Sequence, residues 1–127
     1  MIPFLKHKPP VLLLDDDPSM QRLVSALLKR AGYRVDVFLT GRDALQALDR
    51  DNYDVLLLDL MTPHEGGMTV IRELRSKNPA LLGHTLLLTG SPQSVIGRVR
   101  GEVAGVVQKP FDPPDLVEAV RGIAKKT

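Results

Sequence analysis

Four short runs in this chain are apolar almost without interruption: "VLLL" at 11–14, "DVLLL" at 54–58, "TLLL" at 85–88 and "GVV" at 105–107. A strand with one wet face alternates apolar and polar residues, whereas a continuous apolar run needs cover on both faces. Only "YRVDVF" at 33–38 alternates, as an edge strand would. Between the runs, apolar residues recur at helical spacing: Met20, Leu23, Val24, Leu27, Leu28 and Ala31, then Ala44, Leu45 and Leu48, then Val70, Ile71 and Leu74, and last Leu116, Val120 and Ile123. A further helix in "PQSVIGRVRGE" is weakened by Gly97. Asp17 before Pro18, Gly32 after the first helix, the capping-box-like Thr40 and Asp43, and Asp112 before Pro113 mark helix ends. The pattern βαβαβαβαβα predicts an α/β fold: a parallel sheet with helices on both faces and right-handed crossovers.

At 127 residues the chain has the length of one domain, expected over 11–127 behind a loose leader, "MIPFLKHKPP", at 1–10. Apolar residues make up 43% and charged residues 25%, with mean hydropathy near zero, which excludes both a disordered and a membrane-spanning class. The net charge is +2, and no basic run goes beyond the two residues of Lys125-Lys126, too sparse for a nucleic-acid footprint. With no cysteine and no signal-peptide core, a cytoplasmic location is expected.

In open α/β sheets, ligands bind outside the carboxyl ends of the strands. Asp15 and Asp16 follow the first run, Asp59 the third, Thr89 the fourth and Lys109 the fifth. Three carboxylates about 4 Å apart repel by roughly 4 kcal/mol per pair at an effective dielectric near 20. A cation among them, or protonation, has to relieve that repulsion. Oxygen ligands without His or Cys favour Mg²⁺, and a partly filled shell leaves room for phosphate oxygens within reach of Lys109 and Thr89.

These residues, in this order, resemble the receiver domain of two-component response regulators. The resemblance rests on "LLLDDDP", "DVLLLDLMTP", Gly67 eight residues beyond Asp59, "LLLTG" and "VVQKPF", and it covers residues 11 to about 124. It implies a flavodoxin-like doubly wound (βα)5 fold with a five-stranded parallel sheet of order 2-1-3-4-5. It implies that Asp59 is the phosphoacceptor, taking a phosphoryl group from a sensor histidine kinase or a phosphotransfer protein. Asp15, Asp16, Asp59 and the backbone carbonyl of Met61 would hold Mg²⁺, while Thr89 and Lys109 would engage the phosphoryl group. Such a domain is not an enzyme acting on a separate substrate; it catalyses its own phosphorylation and dephosphorylation only. Its signal would pass by protein contact to a downstream target or output domain, with no direct binding of nucleic acid or membrane. A partner or a second copy would meet the face made by the fourth helix, fifth strand and fifth helix.

Other readings weigh against some of these residues. Asp17 is a helix cap and not a ligand, and Lys109 is aimed inward by a fixed turn at Pro110 and Phe111, with a cis bond. His7, His64 and His84 share no metal-ligand spacing. Met20 and Met68 are core filler, and Gly66-Gly67 is a turn into the third helix. A pseudo-receiver would lack an acid or Lys109, and neither is missing. An aspartyl-phosphate hydrolase would show a second acid pair late in the chain. The chain departs from the receiver pattern at Thr62-Pro63, at Gly90, and at Val106, where an aromatic ring usually stands three residues before the lysine. The switch is therefore expected in Thr89 and residues 90–93 more than in the fifth strand.

Overall fold

The structure is a computed structural model that describes residues 8–60, 66–90, 93, 97, 99 and 101–124. The chain runs β1 (Pro10–Leu14), α1 (Pro18–Arg30), β2 (Arg34–Phe38), α2 (Gly41–Arg50), β3 (Val55–Leu58), α3 (Gly66–Lys77), a 3₁₀ helix (Pro79–His84), β4 (Thr85–Thr89), β5 (Gly105–Gln108) and a C-terminal helix (Pro113–Ala124). All strand pairs are parallel, in the order β2-β1-β3-β4-β5. The expected doubly wound sheet is thus present. Most of the weak helix at "PQSVIGRVRGE" lies outside the described residues; Gln93, Gly97 and Val99 within it are helical.

The continuous apolar runs of β1, β3 and β4 are explained by burial on both faces, whereas the run at 105–107 forms β5, the other edge of the sheet, and is only half-buried. Leu12, Leu14, Leu56, Leu58 and Leu87 pack with Ala44, Ala47, Val70, Ile71 and Leu74 of α2 and α3. The alternate residues Val11, Leu13, Val55, Leu57, Leu86 and Leu88 pack with Val24 and Leu28 of α1 and with Leu116, Val120 and Ile123 of the C-terminal helix. Leu13 and Leu57 are fully buried, and each such side chain contributes roughly 1.5–3 kcal/mol relative to exposure. Strand β2 is the partly exposed edge that its alternation predicts.

The helix ends follow their sequence signals. The Asp17 carboxylate caps α1 by accepting from the Ser19 N–H at 2.9 Å. Gly32 sits at φ +102°, a left-handed value that glycine adopts without steric cost, while its N–H donates to the Lys29 carbonyl. Thr40 Oγ1 accepts from the Asp43 N–H at 3.1 Å. Two expectations change. Strand β1 takes in Pro10 from the expected leader, and the Pro9 carbonyl accepts from the Arg34 N–H, because β2 needs a partner at that level. Gly66-Gly67 is no turn: both residues lie in the first turn of α3.

Candidate functional site

Register brings the strand-end residues together. Leu14 pairs with Leu58, so Asp15 and Asp59 leave the centre of the sheet side by side, and the Asp59 N–H donates to the Leu14 carbonyl at 3.0 Å. Thr89 pairs with Gln108, and the Lys109 N–H donates to the Thr89 carbonyl at 2.9 Å, which sets Lys109 on the same rim. The Lys109–Pro110 bond is cis, as expected. Lys109 Nζ lies 2.9 Å from Asp59 Oδ2 and 3.4 Å from Asp15 Oδ2. Thr89 is fully buried at the end of β4.

One carboxylate oxygen from each of Asp15, Asp16 and Asp59 lies within 4.8 Å of the other two. Asp15 and Asp59 are buried, and Asp16 is exposed. At that spacing the repulsion is on the order of 3–4 kcal/mol per pair. Burial pushes the Asp15 carboxyl above its ordinary value and the Asp59 charge adds to this, against the Asp17 N–H and Lys109. Burial also works against the charge on Lys109, but the hydrogen bond to Asp59 and the charges of both acids outweigh it and hold the ammonium above its ordinary value. Three acids and one ammonium leave two negative charges, which a divalent cation would offset. The donor set is all oxygen, the chemistry that suits Mg²⁺. Met61, whose carbonyl the resemblance adds to this set, lies outside the described residues, as do His7 and His64.

Sequence reasoning missed two supports of this site. A Cβ built on Gly67 would stand 2.5 Å from the Asp59 carbonyl oxygen, and one on Gly41 would stand 2.7 Å from that of Gly66. The glycines let α2 pack on α3 and α3 pack on the backbone of Asp59. A signal was available, since two consecutive glycines cost a helix about 1 kcal/mol each and need a packing reason. The second support is Gln21, whose Nε2 donates to the Asp15 carbonyl at 2.5 Å. A glutamine inside a helix gives no such signal. His84 is an ordinary partly buried residue whose Nδ1 lies 3.1 Å from the Asp54 carbonyl oxygen. Met20 and Met68 pack at the margins of the two cores, as expected.

Known proteins share this arrangement at the level of sequence and fold. The family model of the response regulator receiver domain matches residues 11–121. The probable transcriptional regulatory protein TcrX of Mycobacterium tuberculosis is 34% identical over 120 residues, covering 92% of this chain and 50% of TcrX. ResD of Bacillus subtilis, a transcriptional regulatory protein, is 32% identical over 119 residues, covering 91% of this chain and 48% of ResD. The chain therefore spans about half the length of the curated relatives it matches. Among solved structures, the chemotaxis response regulator CheY4 of Vibrio cholerae aligns with a TM-score of 0.81 at 26% identity, covering 92% of this chain and 99% of that one. The BeF3-activated DrrB receiver domain aligns at 0.77 and 30% identity, covering 94% and 99%. The family match runs from β1 into the C-terminal helix and takes in every strand, so this chain belongs to the receiver domains of two-component response regulators.

Proposed function

We propose that Asp59 is the phosphoacceptor and that this domain takes a phosphoryl group from a sensor histidine kinase or phosphotransfer protein in a Mg²⁺-dependent reaction. The observation that carries the reading is the Lys109 ammonium 2.9 Å from Asp59 on the rim where Asp15 and Asp16 converge. Asp15, Asp16, Asp59 and the carbonyl of Met61 would hold the metal. Bound there, Mg²⁺ would neutralise charge developing on the transferred group. Asp59 supplies the attacking carboxylate oxygen, and β3 fixes its direction through the bond from the Asp59 N–H to the Leu14 carbonyl. Lys109 holds an equatorial phosphoryl oxygen, and the Thr89 hydroxyl accompanies it once the phosphoryl group is in place.

The domain acts on itself, catalysing its own phosphorylation and dephosphorylation, and signals by protein contact in the cytoplasm. No helix among the described residues is long and apolar enough to cross a membrane. TcrX and ResD are named as transcriptional regulatory proteins, and the part of this chain that aligns with about half of each matches the receiver family. We infer that this domain supplies the phosphorylation input to an output domain or downstream protein and does not itself read DNA. Contact through the face of the fourth predicted helix, β5 and the C-terminal helix, with a partner or a second copy, belongs to the same reading. Incubation with a small-molecule phosphodonor tests it: uptake requires Mg²⁺, and equal uptake with a chelator present contradicts the metal's role.

A further inference from the structure

We infer that Gln21 is a positioning residue for the metal-binding acids, a role that rests on the Mg²⁺ reading above. Beyond Asp15, the loop between β1 and α1 has three peptide groups, and each is held by one hydrogen bond. The group joining Asp15 to Asp16 is held by its carbonyl, which accepts from Gln21 Nε2 at 2.5 Å. The group joining Asp16 to Asp17 is held by its N–H, which donates to Asp15 Oδ1 at 2.9 Å. The group joining Asp17 to Pro18 is held by its carbonyl, which accepts from the Gln21 N–H at 2.9 Å. Gln21 thus grips both ends of the loop from within the first turns of α1, and its side chain holds the one peptide group that links the two acids.

That group decides where Asp16 points. Asp15 is fixed independently, by its N–H on the Phe38 carbonyl and by its carboxylate on the Asp17 N–H and Lys109. Asp16 is exposed, so its carboxylate is directed by the backbone on either side of it. The repulsion among the three acids favours rotating the exposed one away. Holding the Asp15–Asp16 peptide opposes that rotation and keeps the site ready for an ion that demands near-ideal octahedral geometry. Partners behind metal ligands act in this way, and their loss costs about tenfold or more in affinity.

Gln21→Met removes the donor while keeping side-chain length and helix propensity. Calorimetric titration of Mg²⁺ and Ca²⁺ into the unaltered protein and the variant, with metal-free thermal melts, gives the test. The expected result is Mg²⁺ binding weaker by about tenfold, a smaller loss for Ca²⁺, whose coordination tolerates a looser loop, and a nearly unchanged metal-free melt. Gln21→Glu also weakens Mg²⁺ binding, although its added negative charge alone would strengthen it. Unchanged Mg²⁺ affinity in Gln21→Met, equal losses for the two ions together with a lower metal-free melt, or tighter binding by Gln21→Glu each overturns the role. Failure of the unaltered protein to bind Mg²⁺ overturns the metal reading and this role with it, and so differs visibly from failure of the Gln21 role alone.

Discussion

Lys109 Nζ stands between two acids, 2.9 Å from Asp59 Oδ2 and 3.4 Å from Asp15 Oδ2, and is itself one-fifth exposed while both acids are buried. The ammonium therefore stabilises the fold by holding two like charges together, and it does so at Asp59, the proposed phosphoacceptor. In Lys109→Met the acids face each other without it. Metal-free stability should fall by on the order of 1–3 kcal/mol, below the cost for a fully buried pair because Lys109 is partly solvated. Mg²⁺ should then raise the variant's stability more than that of the unaltered protein, since more negative charge awaits it. Denaturant melts with and without Mg²⁺ check this, and an equal metal response in both proteins would place the ion elsewhere.

The three consecutive acids divide into different tasks. Asp17→Ala removes the cap on Ser19 and should cost about 1 kcal/mol while leaving the stabilisation by Mg²⁺ largely intact. Asp16→Ala should leave metal-free stability nearly unchanged and abolish most of the stabilisation by Mg²⁺. Thermal melts of the two variants at matched metal concentrations separate the roles. A reversed pattern would mean that cap and ligand have been exchanged.

The fold and the rim of the site were legible because the signals are local and repeated. "VLLL" and "DVLLL" require cover on both faces, and the residue after each lands on the rim once the strands are parallel. Pro18 and Gly32 mark the ends of α1 by backbone chemistry that does not depend on context. The strand order came from the resemblance and not from the alternation, which is the same for several orders. Gln21, the Tyr53–Asp36 bond and the ion pair between Arg75 and Glu102 were not legible, because each joins residues through tertiary geometry that no spacing encodes. Gly67 was seen, but as a turn; its reason lies in the backbone of Asp59, eight residues earlier.

Gly67→Ala places a Cβ where only 2.5 Å separates it from the Asp59 carbonyl oxygen, so α3 or the Asp59 backbone has to move. The expected cost is about 1–3 kcal/mol, with slower phosphoryl uptake because Asp59 shifts from its alignment. Gly83→Ala meets nothing within 4 Å and serves as the comparison. Denaturation midpoints and uptake rates of both variants check this; a Gly67→Ala protein as stable and as quickly modified as Gly83→Ala would contradict it.

Tyr53 Oη donates to Asp36 Oδ2 at 2.7 Å. Burial, followed by that hydrogen bond and the Asp36 charge, pushes the phenol up to about 12. An unfolded chain releases this proton near pH 10, so the folded state binds the additional proton between about 10 and 12. The stabilisation is complete below about pH 10 and is lost as pH rises through that window. Relative to Tyr53→Phe, the unaltered protein should lose about 1 kcal/mol between about pH 8 and about pH 11. Parallel stability profiles for the two proteins over that interval would show that the phenol is not held.

The most direct measurement is intact-mass spectrometry of this chain and of Asp59→Asn after exposure to a small-molecule phosphodonor with saturating Mg²⁺. One phosphoryl group is expected on the unaltered protein and none on the variant, because metal and Lys109 would assemble around one carboxylate. Equal uptake by both proteins, or none by the unaltered protein with Mg²⁺ bound, would contradict Asp59 as the acceptor.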